Sequence, residues 1–136
     1  MNEFKLNFRL LEDSTFVTKL NVSQVRLNHD ARFPWLILIP EIAGLKELHD
    51  IPDEKQAIVQ KEVNFCSAAL QELTSADKMN VAALGNLVPQ LHIHVIARKH
   101  NDNAWPQPVW SAGEAKPYEE ENLAELVNKL RQRLSN

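Results

Sequence analysis

The sequence predicts an α+β fold in which an antiparallel sheet of about five strands packs against two main helices. Strand-like patterns cluster early and in the middle of the chain, and two amphipathic segments stand apart from them. The strands do not alternate with helices as a parallel sheet requires. The 136 residues suit a single domain. We expect it to span residues 1–136, with its core at about 13–110 and a C-terminal helix at about 119–134.

The first three predicted strands follow one another closely. Residues 15–20 and 23–28 alternate, or nearly alternate, between apolar and polar side chains, and the turn-like Asn-Val-Ser between them predicts a hairpin. Residues 35–39 form the continuous apolar run Trp-Leu-Ile-Leu-Ile, which indicates a strand that is buried on both faces.

Two helices and two further strands complete the prediction. Apolar side chains recur at helical spacing over residues 53–74, and again from about 119 to 134, so each segment is expected to be an amphipathic helix. Residues 78–84 and 90–98 are the fourth and fifth predicted strands. A proline-rich loop, residues 104–110, precedes the last helix and carries Trp105 and Trp110, which either pack this loop or help to close a pocket.

Composition excludes several classes of protein. A net charge of −3 leaves no basic face for the backbone of an extended nucleic acid. The longest apolar runs are far shorter than the roughly 20 residues of a membrane helix, and the N-terminus lacks a signal-peptide apolar segment, so we expect a cytoplasmic protein with no membrane partner. Three glycines are too few for a glycine-rich dinucleotide or phosphate loop, and the single cysteine, Cys66, excludes an internal disulfide.

Residues 86–98, Asn-Leu-Val-Pro-Gln-Leu-His-Ile-His-Val-Ile-Ala-Arg, carry two imidazoles in an apolar strand. Strand alternation puts Gln90, His92 and His94 on one face, opposite three aliphatic residues. Three interpretations compete. The histidines are incidental on an exposed face, or they share a metal ion that needs a third ligand, or one neutral imidazole attacks phosphorus while its neighbour assists the phosphate or the leaving group.

The longer stretch from Gly85 to Arg98 resembles the signature of the histidine triad (HIT) superfamily, His-φ-His-φ-His-φ-φ, in which φ is apolar. Gly85-Asn86 stands where the family has Gly-Gln, Val88-Pro89 precedes the motif, and Arg98 follows it. Residues 27–40, Leu-Asn-His-Asp-Ala-Arg-Phe-Pro-Trp-Leu-Ile-Leu-Ile-Pro, resemble the segment in which the family builds its nucleoside pocket. The likeness covers residues from about 13 to 110. The chain resembles a bacterial HIT-domain hydrolase with a Gln-x-His-x-His variant of the triad.

This resemblance implies a HIT-like fold and a reaction at the α-phosphate of a nucleotide conjugate, either a dinucleoside polyphosphate or a nucleoside phosphoramidate. It implies that His92 forms a nucleotidyl-histidine intermediate and that His94 contacts the phosphate oxygens and helps the leaving group depart. Gln90 replaces the first triad histidine, and an amide can orient a substrate but cannot titrate. We expect a homodimer with no bound metal and no cofactor, apart from a divalent cation that accompanies a polyphosphate substrate.

The resemblance also suggests five substrate-binding residues, each with a plainer alternative. Asn28 is expected near the ribose or as a turn residue, and Trp35 beside the base or in the core. Asn86 is expected to bind phosphate or to form a bend. Asn80 is expected to contact phosphate or to act as a cap. Arg98 is expected to add positive charge near the strand end or, as an exposed arginine, to pair with Asp102.

Two rival functions remain open on the sequence. A HIT-like module that binds nucleotides without useful turnover is the first, because Gln90 removes one titrating group. A metal-dependent enzyme that uses His92 and His94 as ligands is the second.

Overall fold

The structure is a computed structural model that describes residues 3–135. Five strands form one sheet, and every neighbouring pair is antiparallel. The strands are β1 (Ser14–Lys19), β2 (Ser23–Asn28), β3 (Trp35–Pro40), β4 (Lys78–Ala82) and β5 (Ile93–Arg98). They are arranged in the order β1-β2-β3-β5-β4, so that β1 and β4 are the edge strands.

Three α-helices and two short 3₁₀ turns connect or flank the strands. The helices are α1 (Phe8–Glu12), α2 (Asp53–Thr74) and α3 (Glu120–Leu134), and the turns are Leu48–Asp50 and Val109–Ala112. The predicted α+β fold, with its hairpin and two main helices, is therefore confirmed. No helix in the described part of the chain has the length and apolarity needed to cross a membrane.

The strand β3 lies at the centre of the sheet and is buried along its whole length. Its partners are β2 on one side and β5 on the other. The prediction that this apolar run is covered on both faces is confirmed because the protein has two separate apolar clusters. One contains Leu36 and Leu38 together with side chains from α2 and α3, and the other contains Trp35, Ile37 and Ile39.

The second cluster covers the sheet face opposite α2 and α3. Besides the three β3 residues it contains Leu10 of α1, Phe33, Val88, Ile96 and Val109. Loops and the short helix α1 cover this face, whereas two long helices cover the other. A cleft on this side can therefore be shaped by loop side chains.

The motif strand is shorter than the sequence predicts. The ladder between β3 and β5 starts at the Leu38–Ile93 pair, whereas residues 90–92 lie outside the strand. Pro89 has no amide hydrogen to donate, and the amide of Leu91 donates instead to the carbonyl of Leu45 at 2.9 Å. The two histidines consequently stand at the entrance of β5, one just before it and one inside it.

Candidate active site

A cavity of about 270 Å³ opens on the sheet face that carries the second apolar cluster. Both motif histidines line it, together with residues from the N-terminal segment, β3, the 84–88 loop and the proline-rich loop. Among the predicted site residues its wall contains Asn28, Trp35, Asn86, His92 and His94. The fold thus brings together five of the eight residues that the sequence predicts for the site.

The imidazole of His92 is held in one tautomer by the main chain. Its Nδ1 lies 2.7 Å from the carbonyl oxygen of Gln90. A carbonyl oxygen only accepts, so Nδ1 carries the hydrogen and donates it. In the neutral ring, Nε2 is then unprotonated and has a lone pair. Burial lowers the pKa of His92 below its ordinary value of 6.5, although the hydrogen bond to Gln90 acts the other way. The ring is therefore neutral at pH 7.

Both ring nitrogens of His94 have partners in the protein. Nε2 donates to the carbonyl oxygen of Leu84 at 2.9 Å, and Nδ1 accepts from the indole Nε1–H of Trp35 at 2.9 Å. Burial, followed by the neighbouring His92, lowers the pKa of His94 from 6.5 to about 4 despite the Leu84 hydrogen bond. The expected N–H donation from His94 to a phosphate oxygen is thus not available in this arrangement, because its one N–H is already used.

Aromatic rings surround the two imidazoles. The ring centroids of His92 and His94 are 4.8 Å apart, and the Trp110 indole lies edge-on to His94 at 5.0 Å and to Trp35 at 5.6 Å. Trp110, from the 3₁₀ turn of the proline-rich loop, lines the cavity and is 42% exposed. Of the two tryptophans in that loop it is the one at the site, whereas Trp105 packs against His100.

Gln90 does not face this cavity with its side chain. Its Oε1 accepts from the amide of Asn7 at 2.9 Å, and its Nε2 donates to the carbonyl of Lys5 at 2.8 Å. The residue lines a smaller neighbouring cavity of about 140 Å³ instead. Strand alternation predicts that Gln90 lies on the same face as the histidines. This prediction is wrong because residue 90 lies before the first residue of β5.

Two of the predicted substrate-binding residues are corrected by the structure. Arg98 is 1% exposed and donates to both carboxylate oxygens of Asp102, to Asn80 Oδ1 and to the carbonyl of Gln107. Neither Arg98 nor Asn80 lines the cavity of the two histidines. Arg98 is instead the buried centre of a network that ties the 99–107 loop to β4, and this pairing with Asp102 is the plainer alternative given above.

A metal site that uses the two histidines needs a third ligand. No group of three or more His, Cys, Asp or Glu side chains within residues 3–135 could hold a metal ion. In addition, both nitrogens of His94 are engaged, so His92 and His94 cannot form a two-imidazole ligand pair as they stand. Cys66 is fully buried in α2, and burial raises the pKa of its thiol to about 12, which makes it a poor nucleophile.

Comparison with known proteins agrees with this geometry. A family model described as the HIT domain matches residues 10–101. A histidine triad (HIT) protein from Sinorhizobium meliloti 1021 is 42% identical, with a TM-score of 0.93 over 96% of this chain and 97% of that chain. A histidine triad protein from Marinobacter aquaeolei VT8 is 41% identical, with a TM-score of 0.94 over 98% of this chain and 97% of that chain.

A third solved structure, a histidine triad protein from Bradyrhizobium japonicum, is 39% identical, with a TM-score of 0.95 over 98% of this chain and 99% of that chain. Among curated proteins, none matches. The HIT model spans more than half of the sequence, and the similar structures agree with it over nearly the whole chain. On this evidence, together with the two imidazoles at the start of β5, the chain belongs to the HIT family.

Proposed function

We propose that this protein is a nucleotide hydrolase or nucleotidyl transferase that acts at the α-phosphate of a nucleotide conjugate through a nucleotidyl-histidine intermediate on His92. One observation carries the proposal. Nδ1 of His92 gives its hydrogen to the carbonyl of Gln90, so the lone pair of a neutral ring is on Nε2. That histidine lines a cavity of about 270 Å³, which is close to the lower end of the ligand pockets of about 300–1,000 Å³ found in proteins.

In the first step, the Nε2 lone pair of His92 forms a bond to phosphorus. The bond from phosphorus to the leaving group breaks, and the leaving group keeps that electron pair. Because the ring is neutral before attack, no base is needed to activate it. Nδ1–H stays hydrogen-bonded to the Gln90 carbonyl, which stabilises the positive charge that develops on the ring.

In the second step, a water molecule or another acceptor attacks the same phosphorus. The N–P bond breaks, its electron pair returns to Nε2, and the nucleotide leaves with a new P–O bond. The side-chain amides of Asn28 and Asn86, both on the cavity wall, are suited to bind the ribose hydroxyls and a phosphate oxygen respectively. Trp35 and Trp110 supply apolar surface for a base or sugar.

Trapping the intermediate tests the proposal. Purified protein is mixed with adenosine phosphoramidate or diadenosine triphosphate and quenched, and a nucleotidyl adduct is sought on His92 by mass spectrometry. His92→Ala should lower turnover by several orders of magnitude while nucleotide affinity stays within about tenfold, since the covalent step and binding are separable. His100→Ala, an exposed histidine outside the cavity, is the matched control and should behave as wild type.

The binding-module alternative makes a different prediction. Wild-type protein would then bind AMP with measurable affinity but give neither adduct nor product. The metal-dependent alternative is contradicted if activity survives chelation and the purified protein contains no stoichiometric zinc or iron. A divalent cation that travels with a polyphosphate substrate would change the substrate affinity without remaining in the protein.

We also infer that two copies associate through β4. This strand is at the edge of the sheet, Val81 on it is 50% exposed, and an apolar groove lined by Val81, Ile51 and Val59 lies beside it. Antiparallel pairing of two β4 strands would extend the sheet and cover these side chains. A monomer mass by light scattering at micromolar concentration would contradict this inference.

A further inference from the structure

Arg9 is a charged residue of the cavity wall that the catalytic steps above do not use. It lies in α1, is exposed, and is one of the residues that line the cavity of His92 and His94. Within residues 3–135 its guanidinium has no carboxylate or carbonyl partner, and its nearest aromatic contact is the ring of its neighbour Phe8, 5.9 Å from the guanidinium carbon. An arginine with all its donors available, at the wall of a phosphate site, is well suited to bind an anion.

The position of Arg9 depends on Gln90. The Gln90 side chain holds the main chain of Lys5 and Asn7 through two hydrogen bonds. Asn7 in turn caps α1, because its Oδ1 accepts from the amide of Arg9 at 2.9 Å. The non-titrating replacement of the first triad histidine therefore helps to fix the N-terminal end of the short helix that carries Arg9, while Leu10 of the same helix packs into the second apolar cluster.

The charges on the wall make Arg9 the group that would neutralise a phosphate. Among the described residues that line the cavity, Arg9 is the one arginine or lysine and Asp13 is the one acidic residue. Burial lowers the pKa of both His92 and His94, so both rings are neutral at pH 7. Arg98 is fully engaged in its own network. A substrate with more than one phosphate has only Arg9 as a cationic partner on this wall.

The proton donors of the cavity favour the same kind of substrate, one with an anionic leaving group. An amine that leaves phosphorus needs a proton as the P–N bond breaks, whereas a phosphate leaves as a stable anion. The N–H of His94 is held by the Leu84 carbonyl, and the Nδ1–H of His92 is held by the Gln90 carbonyl. The cavity thus offers a cation for an anionic leaving group, whereas neither of its two imidazoles has a free N–H for a basic one.

We propose that Arg9 binds the phosphate of the leaving group, that Gln90 is its positioning residue, and that the natural substrate carries a phosphoanhydride rather than an amine on its α-phosphate. This inference rests on the proposed function and specifies its substrate class. When His92 attacks, the N–P bond forms and the P–O anhydride bond breaks. The bridging oxygen keeps the electron pair, and the departing phosphate is paired with the Arg9 guanidinium without taking a proton.

Turnover of two substrates by matched variants tests the inference. Diadenosine triphosphate supplies a phosphate leaving group and adenosine 5′-phosphoramidate an amine. Wild type should favour the triphosphate. Arg9→Gln should lower kcat/KM for the triphosphate about tenfold or more, as expected for loss of a charge-assisted hydrogen bond, and should lower it clearly less for the phosphoramidate. Arg133→Gln is the control, because Arg133 lies on α3 and pairs with Glu72 at 2.8 Å.

The role of Gln90 is tested through the same substrate ratio. Gln90→Ala should reduce the preference for the triphosphate, and the double variant with Arg9→Gln should lose no more of it than Arg9→Gln alone, because the two act in series. Gln90→Glu keeps an acceptor for the Asn7 amide but loses the donor to Lys5, so it should give an intermediate preference. A purely structural role would slow both substrates equally.

The failures of the two proposals can be told apart. If the phosphoramidate is the better wild-type substrate, or if Arg9→Gln slows both substrates to the same extent or neither, the assignment of Arg9 is wrong and the His92 mechanism stands. If wild type turns over neither substrate, the proposed function is wrong and the Arg9 inference is wrong with it.

Discussion

Folding stability should fall as the pH drops from 7 toward 5, because the folded protein resists protonation of His94. This side chain is 5% exposed, and its pKa is lowered from 6.5 to about 4. In the unfolded chain it binds a proton near 6.5. Between these values the unfolded state binds more protons than the native state, so the free energy of unfolding decreases as the pH falls. At about 1.36 kcal/mol for each pH unit, the interval of about 2.5 units amounts to about 3 kcal/mol for this histidine.

Urea denaturation at several pH values between about 7.5 and about 5 measures this loss. Over the interval from 6.5 to 5, His94 alone should contribute about 2 kcal/mol. His92 and His29, whose pKa values burial also lowers, contribute in the same direction. Asp30 and Asp102 have lowered carboxyl pKa values, so their loss falls below pH 3.8 and outside this range.

His94→Phe isolates the contribution of this ring. The variant should be less stable at pH 7.5, since Trp35 Nε1–H loses its acceptor, but its stability should change less steeply with pH than that of wild type. His49→Gln is the control, because the His49 side chain is 83% exposed, and its slope should match wild type. Equal slopes for wild type and His94→Phe would refute the argument that burial keeps this imidazole neutral.

Two further substitutions test the supports of the site. Gly85→Ala should lower kcat by one to two orders of magnitude, because a displaced nucleophile is costly. A Cβ at this position would stand 2.5 Å from the Val88 carbonyl oxygen and 3.1 Å from His92 Cε1. Steady-state kinetics, with urea denaturation to check folding, would measure the loss, and a wild-type kcat would contradict it. Arg98→Met should lower the free energy of unfolding by about 3–5 kcal/mol, since the Asp102 side chain, which is 6% exposed, would lose its ion pair. A loss below about 1 kcal/mol in urea denaturation would contradict the interpretation that Arg98 is the buried centre of a network.

The elements that the sequence predicts well are those with a long periodic or continuous apolar pattern. The helix α2 begins at Asp53 and ends at Thr74 as predicted, because its apolar stripe persists through the whole segment. The helix α1 was missed because its five residues, Phe-Arg-Leu-Leu-Glu, are too few to show a period. The start of β5 was placed three residues early because alternation continues through residues 90–92 although the ladder does not.

The candidate site is predictable where the motif alone specifies it and not where distant segments meet. His92 and His94 follow from their spacing. For Arg98 the sequence allows the pairing with Asp102 but predicts an exposed side chain, because it does not reveal that the 99–107 loop, which supplies Asp102 and the Gln107 carbonyl, buries the guanidinium. Arg9 was missed because the contact that brings α1 to the cavity joins Asn7 to Gln90, 83 residues apart. An Asn two positions before an Arg signals a cap but gives no indication of where the capped helix docks.

The main chain and the side chain of Gln90 have separate roles, and this explains how a glutamine can replace the first triad histidine. What His92 needs from residue 90 is a carbonyl oxygen that accepts from Nδ1, and every amino acid supplies one. The side chain at position 90 therefore does not determine the tautomer of His92. A glutamine there has both a donor and an acceptor, which is what two opposite main-chain groups of the N-terminal segment require. A neutral histidine also has one donor and one acceptor, but they lie on a rigid ring, and its protonation would remove the acceptor for the Asn7 amide. The hold of Gln90 on the segment that carries Arg9 is thus independent of pH in a site whose two imidazoles are kept neutral by burial.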